Sequence, residues 1–334
     1  MTRWDDEAHY DRPRRRTRPR TKDRPAHDDA TTALVTTVDR GRFTLLIRDP
    51  DGDLARDRVL TAMKSRSLGR KGVVVGDNVR VVGDRTGDEG SLARIVEVEP
   101  RRTVLRRTAD DDDPVERVVV ANADRLVVVT SLADPPPRPR LIDRCLVAAL
   151  DASMDALLCL TKADLASPDE LLAAYRPLGV EAVAVERGGD LTQVRDRLRG
   201  SVSVLVGHSG VGKSTLVNAL VPDARRDTAG VNAVTGRGRH TSTSAIALRL
   251  PDGGWIVDTP GIRSFGLAHI DPSRLIGAFP DLDAATADCP RGCGHTADDP
   301  ECGLDVAVAA GQVEPERVES LRRLLASREP QRGD

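Results

Sequence analysis

Gly207-His208-Ser209-Gly210-Val211-Gly212-Lys213-Ser214 is the stretch on which the fold turns. It matches the phosphate-binding loop pattern in full, follows the apolar run Val202–Val206 and precedes a helix-like segment at Lys213–Leu220. The glycines let backbone N–H groups turn inward around the β- and γ-phosphates of a nucleotide, and the helix directs its positive end at them. Lys213 supplies a point charge between phosphates, and the Ser214 hydroxyl is placed to coordinate Mg²⁺. The loop, with the adjoining Thr215, is therefore read as binding a nucleoside triphosphate.

Downstream, Asp258-Thr259-Pro260-Gly261 ends the apolar run Trp255–Val257. An acid there can hold Mg²⁺ through water, and the Gly261 N–H can contact a γ-phosphate. Alone this would be an ordinary strand-ending turn; behind a phosphate loop it reads as a second switch. Between the two lies Gly236-Arg237-Gly238-Arg239-His240-Thr241-Ser242-Thr243, a polar loop in the place of a first switch, with Thr241 offering a hydroxyl to the metal. Upstream, Thr161-Lys162-Ala163-Asp164 follows the run Ala156–Leu160. A strand-end acid such as Asp164 can accept the guanine N1–H and N2–H₂ together, a pair adenine does not offer. The usual form of this box is Asn-Lys-x-Asp; Thr161 in place of Asn alters one base contact or loop tether. The order base box, phosphate loop, first switch, second switch fits a circularly permuted GTPase, in which the second switch leads straight into the C-terminal segment.

The rest of the chain fits around this site. Strand-like and helix-like runs alternate from Arg125 to Val257, the pattern of a doubly wound α/β sheet. Before them, five β-type stretches (Ala33–Val38, Arg42–Ile47, Asp57–Ala62, Asn78–Val82 and Ser91–Glu99) separated by turn chemistry imply a small barrel, of which the oligonucleotide-binding type is commonest. Arg56, Arg58, Lys64, Arg66, Arg70 and Lys71 cluster there with only Asp57 opposing. Residues 101–115 read as a charged connector. The expected organisation is a tail over 1–32, a barrel over 33–100, the GTPase unit over 101–275 and a metal-binding helical module over 276–334. The tail carries eight basic residues and one acid between Arg12 and Arg24 and cannot bury enough apolar surface to fold. It is either a solvated tail or an arm for phosphate backbone.

Composition narrows the function. The 334 residues hold 50 Lys+Arg against 52 Asp+Glu, a net charge of −2, which excludes a uniformly basic nucleic-acid coat and leaves only local patches. Aromatics at 2% exclude an interface built on many stacked rings. No apolar run reaches the roughly 18 residues of a membrane span and no secretory signal is visible, so a cytoplasmic, membrane-free protein is expected; a monomer is expected as well. Of five cysteines, Cys289, Cys293 and Cys302 lie within 14 residues around His295. Three thiolates and one imidazole fit a closed tetrahedral Zn²⁺ site that folds the module and does no chemistry. Cys145 and Cys159 lie in apolar runs and read as core.

The order of boxes, the barrel in front and the Cys/His module behind together resemble the ribosome small-subunit-dependent GTPase A family over about residues 33–327. Its most specific elements here are Gly238-Arg239-His240-Thr241, the phosphate loop and the Cys/His cluster in this order. The resemblance implies a cytoplasmic bacterial GTPase that acts late in small-subunit assembly, binds rRNA and is stimulated by the subunit. Two features depart from the pattern: Thr161, and the absence of a recognisable Ser-Ala pair near Ala184-Val185-Glu186. Where many GTPases carry a water-orienting glutamine after Asp-x-x-Gly, Ile262 can neither donate nor accept. His240 is the candidate to orient the water, a role proposed for this switch histidine in the resembling family; a solvent- or RNA-contacting histidine is the alternative. A nucleotide-gated RNA-binding adaptor, and an ATP-using enzyme if Thr161 abolishes guanine preference, are the competing functions.

Overall fold

A computed structural model of the chain describes residues 27–69, 72–108, 115–222, 245–259, 267, 270 and 272–327. The first five strands are β1 (Thr31–Asp39), β2 (Arg42–Ile47), β3 (Arg58–Lys64), β4 (Asn78–Gly83) and β5 (Ala93–Val98). They run β1-β2-β3-β5-β4, and β4 returns to pair with β1 through Thr31↔Val81 to Leu34↔Asn78, closing a barrel. Alternation sends Val35, Leu45, Leu60, Val79 and Ile95 inward to a dry core, with Phe43 as its aromatic ring. Closure hides the backbone edges that an open five-stranded sheet would expose. Among the predicted basic cluster, Arg56, Arg58 and Arg66 lie exposed on this barrel, whereas Arg70 and Lys71 lie outside the described residues.

β1 does two jobs. Its pairing with β4 ends at Leu34, and a bulge between Val35 and Thr37 shifts its register on β2, with which it stays paired to Asp39↔Arg42. Beyond the bulge Thr37 pairs antiparallel with Ile246 of β12 (Ile246–Arg249), the edge strand of the second sheet. The barrel and the α/β sheet are thereby one hydrogen-bonded surface of 11 strands. The α/β part comprises β8 (Arg125–Ser131), β9 (Asp155–Thr161), β10 (Glu181–Val185), β11 (Val202–Val206) and β13 (Trp255–Asp258) in the order β10-β9-β8-β11-β13-β12. All of these pairings are parallel except that of β12 with β13. β8 and β11 are buried along almost their whole length, as central strands covered on both faces must be, and so read as unbroken Val/Leu runs. Helices α1 (Pro139–Asp151), α2 (Asp169–Tyr175), α3 (Thr192–Leu198) and α4 (Lys213–Leu220) connect them.

The junction of the two sheets has further ties. The guanidinium groups of Arg48 and Arg249 both lie over the Trp255 ring, at 5.7 and 5.8 Å from its centroid, and Arg249 pairs with Asp57 of the barrel at 2.8 Å. On the other side Arg101 makes a forked pair with the fully buried Asp77, through Nε at 2.7 Å and Nη2 at 2.9 Å.

The expected connector over 101–115 is partly wrong. Val104–Arg107 forms β6, paired antiparallel with β7 (Arg117–Ala121). Leu105 and Val120 are buried in the main core, while the arginines beside them face outward. Those charges hid a short strand anchored by Leu105 on one side and by Val120 and Ala121 on the other.

Four more helices follow: α5 (Pro272–Ile276), α6 (Pro280–Ala285), α7 (Gly303–Ala309) and α8 (Pro315–Ser327). Val318, Leu321, Leu324 and Leu325 of α8 form the apolar face that the sequence spacing predicts, and they share one core with Ile142, Cys145 and Leu146 of α1. Polar ties flank this contact. The Arg144 Nη1 donates to the Ser327 carbonyl at 2.7 Å, and Arg323 sits over the Tyr175 ring and donates to Asp143 at 3.3 Å. Burial raises the Asp143 carboxyl against the lowering effect of Arg323.

Gly76 tests the junction. Its φ is +88°, and a methyl group there would overlap the Ala121 carbonyl oxygen. Gly76→Ala is expected to destabilise the chain by about 2 kcal/mol or more, read as a lowered denaturant midpoint. An unchanged midpoint would mean that the barrel and the sheet slide freely at this contact.

Candidate nucleotide and metal sites

The register of the parallel strands carries the predicted boxes to one edge of the sheet. β11 lies between β8 and β13, with Val206 opposite Val128 and Leu205 opposite Asp258. β9 lies on the far side of β8, with Thr161 opposite Ser131. The phosphate loop, the base box and the acid Asp258 thus all emerge at the carboxyl ends of neighbouring strands, where open α/β sheets hold their ligands.

Close approach of backbones shapes the phosphate loop. Gly207 lies against the Val129 carbonyl, where a side chain would collide. Gly210 and Gly212 take φ of +84° and +88°, a left-handed turn that aims the loop into the first turn of α4. Val211 is buried beneath the loop, while Ser209, Gly210, Ser214 and Thr215 are exposed on it. His208 bonds through Nδ1 to the Ser209 carbonyl at 2.7 Å. The Lys213 ammonium donates to the Asp258 carboxylate and, at 3.1 Å, to the Thr259 carbonyl. The Thr259 hydroxyl donates to the Leu205 carbonyl at 2.7 Å, which pins the start of the second switch to the strand that bears the loop.

The base box is tied in as well. The Thr161 hydroxyl is buried and donates to the Val211 carbonyl at 2.6 Å, so the residue standing where Asn is usual tethers the phosphate loop. Lys162, at φ +58°, donates to the Asp134 carbonyl, and Ala163 N–H donates to Val185 at the end of β10. Asp164 is exposed beside these contacts.

The loop Ser131–Pro136 escaped the sequence reading. The Ser131 hydroxyl donates to the Pro135 carbonyl at 2.6 Å, and Pro135 stands against Gly210. It walls the phosphate loop with backbone and proline rings, residue types that carry no chemical signature. His240, Thr241 and Gly261, expected at the site, lie outside the described residues, as do Arg237, Arg239 and Ile262.

The second cluster is the metal-type one. The ligand atoms of Cys289, Cys293, His295 and Cys302 lie within 4.8 Å of one another. His295 Nδ1 stands 3.5 Å from Cys289 Sγ, 3.5 Å from Cys293 Sγ and 3.7 Å from Cys302 Sγ. With metal–sulfur and metal–nitrogen bonds of about 2.3 and 2.0 Å, a tetrahedron has sulfur–nitrogen edges of roughly 3.5 Å, so the four groups fit one ion. Backbone N–H groups already donate to two sulfurs, Gly303 to Cys289 at 3.1 Å and His295 to Cys293 at 3.4 Å, as around a thiolate.

A mononucleotide-type parallel sheet that carries its base box before its phosphate loop, preceded by a closed barrel, defines a circularly permuted P-loop GTPase. A family model described as RsgA GTPase matches residues 98–268. The chain is 37% identical over 294 residues to the small ribosomal subunit biogenesis GTPase RsgA of Chlorobaculum parvum, covering 85% of this chain and 94% of the relative. It is 40% identical over 260 residues to the protein of the same name from Pseudomonas aeruginosa, covering 74% and 75%. The crystal structure of YjeQ from Thermotoga maritima aligns over 91% of this chain and 100% of that one, with a TM-score of 0.65 and 25% identity. The fold is also that of YloQ, a circularly permuted GTPase, with a TM-score of 0.63 over 92% and 99% of the two chains at 21% identity. The chain belongs to the RsgA GTPase family and is a GTPase.

The cysteines divide by environment. Burial pushes the thiols of Cys145 and Cys159 up to about 12. At pH 8 their thiolate fraction is on the order of one in ten thousand, so neither is expected to react with a disulfide reagent in the folded chain. After chelation, the cluster cysteines Cys289, Cys293 and Cys302 are expected to react and the other two to follow only on unfolding, read from the absorbance of the released reagent. Fast labelling of Cys145 or Cys159 in the native chain would contradict their burial.

Proposed function

We propose that this GTPase acts late in assembly of the small (30S) ribosomal subunit, binds rRNA and is stimulated by the subunit. The observation that carries the reading is the shared edge, with base box, phosphate loop and acid on adjacent strands of a sheet continuous with a barrel. The names of the relatives support the choice of ribosomal subunit. The exposed arginines Arg58 and Arg66 supply local positive charge of the kind phosphate backbone requires in a chain whose net charge is only −2, while Arg56 beside them is paired with Asp53 at 3.3 Å. Among the described residues no helix is long and apolar enough to cross a membrane. The reading is of a cytoplasmic monomer.

In this reading the N–H groups of Gly207–Ser214 receive the β- and γ-phosphates, with Thr215 beside them, and Lys213 turns from Asp258 toward the phosphate oxygens. Asp164 accepts the guanine N1–H and N2–H₂, while Thr161 and Lys162 hold the box against the loop. Mg²⁺ held by Ser214, Thr241 and, through water, Asp258 would neutralise charge that develops on the phosphates. The Gly261 N–H contacts the γ-phosphate. Ile262 cannot orient water, so His240 takes that role on the subunit. The residues at the Cys/His cluster would hold one structural Zn²⁺, whose closed four-ligand shell serves folding.

Hydrolysis of GTP and ATP, with and without purified small subunits, tests the reading. Turnover specific to GTP and strongly raised by the subunit is expected, and His240→Ala is expected to lower the stimulated rate by about 10²-fold or more while GTP still binds. Subunit binding without stimulation would replace this reading with a nucleotide-gated adaptor, and equal use of ATP would overturn guanine selection.

A further inference from the structure

The Cys/His loop is not held by its four ligand residues alone. Arg322, on α8, reaches back across the C-terminal segment, and its Nε donates to the backbone carbonyl of His295 at 3.0 Å. Its two terminal nitrogens fork onto Asp305 of α7, Nη1 to Oδ1 at 2.9 Å and Nη2 to Oδ2 at 2.8 Å. The guanidinium is mostly buried, with 18% of the side chain exposed.

Three thiolates, one neutral imidazole and a divalent ion carry a single net negative charge. A guanidinium beside them, oriented by a carboxylate, offsets that charge and fixes the loop that presents the imidazole. His295 itself stands at φ +58°, a left-handed conformation uncommon outside glycine, so a grip on its carbonyl helps to fix the backbone that presents the imidazole.

We propose that Arg322 is a positioning residue for the metal: by gripping the His295 carbonyl while anchored on Asp305, it holds Nδ1 in the tetrahedral arrangement. The same helix carries Arg323 on Asp143 and Tyr175, and Arg317 on Asp281 and the Pro177 carbonyl. α8 is therefore bolted on one side to the metal loop and on the other to α1 and the turn after α2.

The inference rests on the metal reading, and the test separates the two. Full-length chain is titrated with Zn²⁺ against a chromogenic chelator and with Co²⁺, whose visible bands report tetrahedral thiolate coordination. Arg322→Ala is expected to weaken Zn²⁺ binding by about 10- to 100-fold with the tetrahedral Co²⁺ bands retained at saturation. Arg322→Lys, which keeps the charge and loses the fork, is expected to fall between the two. Asp305→Asn, which leaves the arginine in place but unanchored, should weaken binding in the same direction.

Arg317→Ala, which cuts docking contacts of the same helix without touching the metal loop, is expected to stay within about twofold of the parent affinity. Equal losses in Arg317→Ala and Arg322→Ala would reduce Arg322 to a helix-docking residue and overturn the proposal, as would an unchanged affinity in Arg322→Ala. A parent chain that binds neither ion would overturn the metal reading itself, and this inference with it.

Discussion

The nucleotide edge depends on the burial of β11 between β8 and β13. Parallel pairing on both sides fixes the height at which the strand ends, and so the height of the phosphate loop above the sheet. The loop must then bend back across the end of β8, which is why Gly207 meets the Val129 carbonyl with no room for a side chain. Everything charged follows from that placement. Lys213, at the start of the helix that follows β11, can reach Asp258 because β11 and β13 are neighbours, and Thr161 can reach the Val211 carbonyl because the loop has folded over the strand between them. Moving β11 by one residue would separate all of these pairs at once.

Circular permutation changes what the chain joins, and leaves the sheet as it was. The base box precedes the phosphate loop in sequence, yet β9, β8, β11 and β13 are adjacent in space. What the permutation gains is direct attachment at both ends. The barrel enters through β1, whose second half borders β12, and the C-terminal helices leave from the end of β13 to cover α1. Two added modules are thereby mounted on the strands that flank the site, and the buried forked pair of Arg101 and Asp77 secures the barrel at a point away from it.

Much of this was legible in the residues. Phosphate-loop glycines announce themselves because the backbone angles of Gly210 and Gly212 and the close approach of Gly207 to the Val129 carbonyl leave no room for a side chain, and the Cys/His cluster does so because its ligand types are rare and close in sequence. The strands of the barrel and of the parallel sheet carried the two periodicities expected of half-covered and fully covered strands. What escaped was held by backbone or by long reach. β6 has Leu105 as its single fully buried residue, beside the half-buried Val104 and two arginines. The Ser131–Pro136 wall acts through carbonyls and a ring. Arg322 is 27 positions from the histidine whose carbonyl it grips, and no spacing rule links an arginine to a distant backbone oxygen. Thr161 looked like a loss beside the usual asparagine; only the folded loop reveals that its single hydroxyl still makes the tether.

The divided pairing of β1 also orders events in time. Its first half closes onto β4 within about fifty residues, so the barrel can form soon after those strands leave the ribosome that makes them. Its second half pairs with Ile246, more than two hundred residues further on. At synthesis rates of roughly 5–20 residues per second, that stretch of barrel edge waits on the order of 10–40 s for its partner. The nascent barrel therefore carries a short open seam until the strand next to the second switch arrives to seal it.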